Sequence, residues 1–361
     1  MMKFLRKLDR IFNRISRTIQ EVLGMKPNWP ILIAPYKGYG KDKQVLLRGR
    51  VIKDRRIVKG EVDSTWRALL NNYKRFNSRE VAGAEVHIQI NGDQFSVRTD
   101  AEGYFFLNEE LSQPLPPTKD QWHEARLWLT ETPRRQIDAQ STGQVLIPDE
   151  EAKFGFISDV DDTILKTDVT SALKLRVLYH TFLKSADLRQ SFGQAASFFQ
   201  ALRCGLSDHP VNPVFYVSNS PWNLYDLLDE FLMLNDLPDG PILLRDFGIP
   251  YKERPEDYRG HKHESIIRIL KTYPSLPFVL IGDSGENDPY IYEDVAREFP
   301  DRIIAIYIRD VRSIRRARRI KEFIEQTGVD MQLVQNYGEA AKDAAGRGLL
   351  SYDRFQQYRP K

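Results

Sequence analysis

Three short, almost wholly apolar runs, each stopping at a polar loop, constrain the fold of this chain more than any other feature. Gly155-Phe-Ile157 runs into Ser158-Asp159-Val-Asp161-Asp162-Thr163, Val214-Phe-Tyr-Val217 into Ser218-Asn219-Ser220, and Phe278-Val-Leu-Ile281 into Gly282-Asp283. Runs of this length without apolar/polar alternation suit strands buried on both faces, as in the parallel sheet of an α/β domain. Ile303 to Ile308 supplies a further run, and helical patterns fall between them, near Gln190 to Leu202 and from Trp222 to Leu232. Loops that follow parallel strands gather at the sheet's carboxyl edge, where open α/β folds bind ligands.

The residues at those loops point to phosphoryl chemistry. Asp159 and Asp161 stand two apart on an extended turn and can face one ligand. A nucleophilic carboxylate needs a second carboxyl group to protonate the leaving oxygen and then activate water. A stray acidic turn capped by Thr163 is the competing, purely structural reading. Ser218, beside a helix N-terminus, is placed to donate to a phosphoryl oxygen. Lys262 opens the helix before the third run, and its ammonium can neutralise charge on the nucleophile and the phosphoryl group. Gly282-Asp283-Ser-Gly-Glu-Asn-Asp288 suits a hard divalent cation held by oxygen ligands.

Asp-x-Asp-x-Thr, strand-Ser, Lys and Gly-Asp-x-x-x-x-Asp, in this order, resemble the haloacid dehalogenase superfamily of aspartyl-phosphate phosphatases. The finer wording of Ser-Asp-Val-Asp-Asp-Thr-Ile, Tyr-Val-Ser-Asn-Ser-Pro-Trp, Ile-Gly-Asp-Ser-Gly and Ile-Tyr-Ile-Arg-Asp-Val is similar to the actin-patch-protein family of Mg-dependent phosphatidate phosphatases. That likeness covers roughly residues 150 to 312. It implies Asp159 as nucleophile and Asp161 as general acid/base, with Ser218, Lys262, Thr163 and Asn219 around the phosphate. It further implies Mg²⁺ held by Asp159, Asp161, Asp283 and Asp288. Asn219 has the alternative role of capping or orienting its turn, Lys252 competes with Lys262, and Asp162 suits a helix cap or a supporting group as well as a ligand.

The 361 residues suggest two domains, and 41% hydrophobic residues is enough for ordinary cores. A lone cysteine, Cys204, rules out an internal disulfide and favours a reducing, cytoplasmic setting. The net charge of +3 says little as a sum. Residues 1–26, however, concentrate Lys3, Arg6, Lys7, Arg10, Arg14, Arg17 and Lys26, while Phe4, Leu8, Ile11, Phe12, Ile15, Ile19, Val22 and Leu23 recur at helical spacing. The pattern predicts a basic amphipathic helix, suited to an anionic membrane surface or to packing on protein. A mitochondrial presequence fits less well, given the acidic residues and the scarcity of serine. Nowhere does the chain offer the ~18 consecutive apolar residues of a membrane span.

From Pro30 the period changes to alternation, with strands expected at Pro30 to Ala34, Val45 to Val51, Val86 to Ile90, Phe95 to Thr99, Tyr104 to Leu107 and Ala125 to Leu129. Asn91-Gly92 signals a hairpin, and the whole reads as a β-sandwich-like domain over 29–148 with a binding or positioning role. Its Thr-Asp-x-x-Gly-x-Phe-like turn resembles transthyretin-like modules. His87 and His123 read as ordinary histidines. The catalytic domain is expected over 153–335, with a small cap around Ala172 to Leu183, and 336–361 as a C-terminal tail. Arg309, Arg312, Arg315, Arg316, Arg318, Arg319 and Lys321 form a second basic cluster. Arg309 can reach an anionic headgroup, and the others suit a solvated helix face or a phosphodiester backbone. The expected activity is Mg²⁺-dependent hydrolysis of phosphatidate to diacylglycerol and phosphate at a membrane surface. The same chemistry on a soluble or nucleic-acid-terminal phosphate is the first alternative, although nucleic acid is the less favoured partner, and a non-catalytic membrane adaptor is the second.

Overall fold

The computed structural model of the chain describes residues 30–53, 79–116, 118, 120–132, 135–160, 186–245, 259–310 and 314–358. The expected helix over 1–26, most of the expected cap, Asp161, Asp162, Thr163 and Lys252 lie outside these.

The N-terminal region is all β: β1 (Ile31–Pro35), β2 (Gly38–Lys41), β3 (Gln44–Lys53), β4 (Arg79–Glu80), β5 (Glu85–Ile90), β6 (Asp93–Arg98), β7 (Tyr104–Glu110), β8 (Trp122–Thr132) and β9 (Arg135–Leu146). These strands form one nine-stranded hydrogen-bonded sheet rather than two separate sheets. The reason lies in β3, whose ten residues pair with β1, β2, β4 and β7. The bent sheet encloses a core that includes Val45, Leu47, Val86, Ile88, Phe105, Leu127 and Val145. β5 and β6 pair as far as Ile90 and Asp93, so the hairpin turn is Asn91-Gly92 alone. Their φ values of 50° and 91° need the left-handed backbone that Asn and Gly adopt most easily.

The second region alternates strand and helix: β10 (Gly155–Asp159), α1 (Ala186–Cys204), β11 (Val214–Pro221), a 3₁₀ turn (Trp222–Leu224), α2 (Tyr225–Leu234), β12 (Ile242–Arg245), α3 (His261–Thr272), β13 (Phe278–Asp283), α4 (Asp288–Glu298), β14 (Ile303–Arg309), α5 (Ile314–Thr327), β15 (Met331–Val334), α6 (Tyr337–Gly346) and α7 (Tyr352–Gln357). The sheet order is β12-β11-β10-β13-β14-β15, with every pairing parallel. The order reverses at β10 and β13, which leaves a crevice at their carboxyl ends. Phe156, Phe198, Tyr216 and Tyr307 fill one face of this sheet. Ile157, Phe215, Ile266 and Leu280 fill the other, together with Tyr39, Leu46 and Leu146 from the β region.

The expected tail is not one up to residue 358. Tyr337, Ala340, Ala341, Ala344 and Leu350 are buried in the first of those faces. The Asn336 side chain caps α6 by accepting from the Glu339 amide at 3.1 Å, while the Glu339 carboxylate accepts from the Gln335 amide at 2.9 Å. This is close to a reciprocal capping box, and the Asn-x-x-Glu spacing was its sequence signal.

The two regions are joined beside the end of β11. The Tyr36 ring stacks on Tyr225 and Trp222, at 4.0 and 5.3 Å between centroids, and Arg48 lies over the Trp222 ring at 4.5 Å. The Lys37 amide donates to the Tyr225 hydroxyl at 2.8 Å, and its ammonium to Asp229 at 2.6 Å and Asp239 at 2.5 Å.

Candidate active site

Parallel pairing of β10 with β11 and β13 brings the last residues of separate strands to one edge. Asp159 ends β10, Asp283 ends β13, Ser218 lies in the last half of β11, and Asp288 is the first residue of α4. All four are buried. Ligand oxygens of Asp159, Asp283 and Asp288 all lie within 4.8 Å of one another. Three carboxylates that close repel one another strongly, and one ammonium links two of them, Asp159 and Asp288, with Glu286 beside them. Lys262, in the first turn of α3 and 2% exposed, reaches Asp288 at 2.6 Å, Glu286 at 2.9 Å and Asp159 at 3.0 Å.

The loop that carries two of these acids is tightly wound. Asp283 Oδ1 accepts from the Gly285 amide at 2.6 Å and the Glu286 amide at 3.3 Å, and Asp288 Oδ2 accepts from the Asp283 amide at 3.2 Å. Gly282 is required for that closure: a Cβ there would sit 2.5 Å from Asp288 Oδ2 and 2.9 Å from the Tyr292 ring. Ser284 is fixed from the next strand, its amide donating to the Arg309 carbonyl at 2.8 Å and its hydroxyl to Asp310 at 3.2 Å. Arg316 of α5 donates to the carbonyls of Ser284 and of Glu286, the latter at 2.7 Å.

Burial, then the charges of Asp159 and Asp283, push the Asp288 carboxyl well above the usual carboxylate range, with Lys262 acting against them. The same surroundings push Tyr292 well above its ordinary value, burial being the first cause, and its hydroxyl donates to the Ile281 carbonyl at 3.0 Å. Beside Lys262, His261 is lowered to about 4, chiefly by burial, with Arg268, Arg245 and Arg48 adding to the effect. An all-oxygen carboxylate set that is costly to ionise fits a hard divalent cation, whose charge would offset the repulsion.

Of the residues expected from the sequence, Asp159, Lys262, Asp283 and Asp288 are brought into one cluster. Asn219 donates to Glu286 at 3.3 Å and so orients that loop, and the Ser218 hydroxyl accepts from the Ser220 amide at 3.0 Å. Two participants were missed. Glu286 was an unspecified position inside the acidic motif, yet it bridges Asn219 and Lys262. Arg316 read as one of many arginines, and only tertiary contact with the 284–286 carbonyls distinguishes it. His87 stacks on Trp128 at 5.5 Å, an ordinary structural contact.

Fold and site together define an α/β protein with a buried carboxylate–lysine centre at the carboxyl edge of its parallel sheet, joined to an all-β region. Residues 154–310, which contain every one of those side chains, match the family model for the phosphatidate phosphatase APP1 catalytic domain. Over those residues the chain is similar to that family. It is 36% identical over 158 residues to phosphatidate phosphatase APP1 of Saccharomyces cerevisiae, covering 43% of this chain and 25% of that protein. It is 30% identical over 222 residues to an uncharacterized protein of Schizosaccharomyces pombe, covering 61% of this chain and 35% of that protein. The chain thus spans only a quarter to a third of the length of these relatives. Among solved structures, a bacterial ice-binding adhesin aligns with a TM-score of 0.21 and 12% identity over 38% of this chain and 40% of that one, too remote to carry an argument.

Proposed function

We propose that the chain is a Mg²⁺-dependent phosphomonoesterase that converts phosphatidate to diacylglycerol and phosphate, and that its α/β region, residues 153–335, is a haloacid dehalogenase-like catalytic domain. The observation that supports this best is the buried convergence of Asp159, Asp283 and Asp288 on Lys262 at the sheet's carboxyl edge. The family match supports the substrate class.

In this reading Asp159 attacks phosphorus in line as the bond to the glycerol oxygen breaks, and Asp161 gives its proton to that oxygen. Water then attacks the aspartyl-phosphate, Asp161 takes the water's proton, and Asp159 is released with inorganic phosphate. Ser218, Thr163 and Asn219 bind or orient the phosphoryl oxygens. Lys262 serves both partners, holding Asp159 in place and offering positive charge to the incoming phosphate. Asp288 fixes the Lys262 ammonium and the Asp283 amide. Asp159 and Asp283 through their carboxylates, with the Asp161 main-chain carbonyl and the Asp288 carboxylate, would hold Mg²⁺, which when bound supplies charge neutralisation between nucleophile and phosphate. A reducing, cytoplasmic setting with peripheral membrane contact through residues 1–26 accords with this substrate. No helix among the described residues is long and apolar enough to cross a membrane.

The test is inorganic phosphate release from phosphatidate in mixed micelles, with Mg²⁺ and with chelator, beside lysophosphatidate, a soluble phosphomonoester and a 3′-phosphorylated oligonucleotide. Mg²⁺-dependent turnover favouring phosphatidate, abolished by Asp159→Asn, is the expected result. Activity confined to the soluble or nucleotide substrates overturns the lipid assignment, and wild-type turnover by Asp159→Asn overturns the mechanism.

A further inference from the structure

Helix α5 carries its charge the wrong way round. Arg315, Arg316, Arg318 and Arg319 crowd its first half, with Lys321 just past the midpoint, its first turn holds no acidic residue, and Glu322 and Glu325 fall in its second half. The helix dipole is positive at the N-terminus, so cations there are opposed, and acids would be favoured. Arg315, Arg318 and Arg319 also stand three and four residues apart on one face, where like charges repel. Among the described residues, Arg318 has its repulsion relieved along that face by Glu322 at 2.9 Å. A solvated helix gains nothing from this pattern. An anionic partner over the N-terminal half would turn each of these costs into an attraction.

The position of that half fixes what the partner faces. The inner side of α5 is anchored by buried Ile320, by Arg316 on the 284–286 carbonyls, and by Phe323, whose ring lies 4.6 Å from Tyr290. Tyr290 stands two residues into α4, whereas Phe323 stands nine residues into α5. At 1.5 Å rise per residue, the start of α5 therefore projects about 10 Å beyond the start of α4, whose first residue is Asp288 of the carboxylate cluster. The exposed side chains of Arg315, Arg318, Arg319 and Lys321 consequently stand beside the mouth of the carboxylate site. Tyr290 adds a partly exposed ring, at 36%, to the same surface. Arginines with an aromatic at their edge match the composition of an interfacial surface on anionic lipid.

We propose that the basic stretch of α5 from Arg315 to Lys321, through Arg315, Arg318, Arg319 and Lys321 with Tyr290 at its edge, is a docking surface for an anionic lipid bilayer that sets the catalytic mouth against the membrane. The inference rests on the lipid phosphomonoesterase reading, and a non-substrate lipid separates the two. The experiment is flotation of the full chain with vesicles of phosphatidylglycerol in phosphatidylcholine, comparing wild type with the triple variant Arg315→Glu, Arg318→Glu, Arg319→Glu. Acids at a helix N-terminus favour the helix, so the variant folds, and unchanged turnover of a soluble phosphomonoester checks this. Partitioning is expected to fall on the order of a hundredfold, and wild-type binding to weaken steeply between low and physiological salt. Variant binding within twofold of wild type overturns the proposal, as does wild type that ignores phosphatidylglycerol vesicles or prefers a single-stranded oligonucleotide to them. Loss of vesicle binding by the variant, in a protein that fails to hydrolyse phosphatidate, upholds the surface and refutes the substrate.

Discussion

Replacing Lys262 by methionine keeps most of the aliphatic stem and removes the ammonium that, among the described residues, pairs with the clustered acids. Three contacts disappear, to Asp288 at 2.6 Å, Glu286 at 2.9 Å and Asp159 at 3.0 Å. Glu286 is partly solvated and can turn to water, but Asp288 and Asp159 have side chains 0% and 3% exposed and cannot. Removing one partner of a buried ion pair typically costs about 3–5 kcal/mol, because the remaining charge stays buried without compensation. The loss should depend on pH in a defined direction. The Asp288 carboxyl is already raised by burial and by Asp159, with Lys262 opposing, so losing Lys262 raises it further. A carboxyl raised in the folded state binds a proton more readily there than in the unfolded chain, so its burial penalty is absent at pH below its unfolded value. The penalty then grows as pH rises towards the folded value. In metal-free urea unfolding, followed for the α/β region as a separate transition if the two regions melt apart, Lys262→Met should lose about 3–5 kcal/mol at pH 7.5 and distinctly less at pH 5. Adding Mg²⁺ should restore more stability to the variant than to wild type. A variant within about 1 kcal/mol of wild type at pH 7.5, or one whose loss is the same at both pH values, would refute the claim that Lys262 holds these buried acids together.

Gly282→Ala pushes a methyl group into Asp288 and Tyr292, and should destabilise by about 1–3 kcal/mol while lowering phosphate release, read by thermal melts and the phosphate assay. Arg316→Ala frees the Ser284 and Glu286 carbonyls, and kcat on a soluble phosphomonoester should fall roughly ten- to hundredfold with KM little changed, Arg316→Lys recovering part of it. His261, lowered to about 4 by burial, binds fewer protons folded than unfolded, so stability should fall as pH drops below about 6.5. Between pH 7 and pH 5 this amounts to about 1–2 kcal/mol, which His261→Asn should remove from the pH profile of the urea midpoint.

The hairpin shows how local chemistry makes structure legible. Asn91-Gly92 between alternating strands is a turn whose backbone demand those residues meet by themselves, and the structure differs only in shortening the loop to these two. The tail shows the converse. Ala340, Ala341 and Ala344 are too small to announce a core helix, and their burial depends on the large rings of Phe198 and Tyr307 on the facing elements. β9 went unexpected because Arg135–Leu146 is largely polar, and its pairing with β8 over most of its length defines it.

For the site, the sequence by itself determined the apolar runs and the acids that end them, because strand burial and loop chemistry are written within a few residues. It therefore supplied Asp159, Ser218, Asp283 and Asp288 as groups that parallel pairing must bring to one edge. The sequence also offered Lys262 as the cation, with Lys252 as its rival, but only the tertiary structure showed that Lys262 reaches Asp159, Glu286 and Asp288 together, and what fixes their loop. Lys262 is 103 residues from Asp159 in sequence, and Arg316 meets Ser284 and Glu286 across separate elements. Charge repulsion between buried carboxylates acts through space, over a few ångströms set by sheet order, and no local spacing records it.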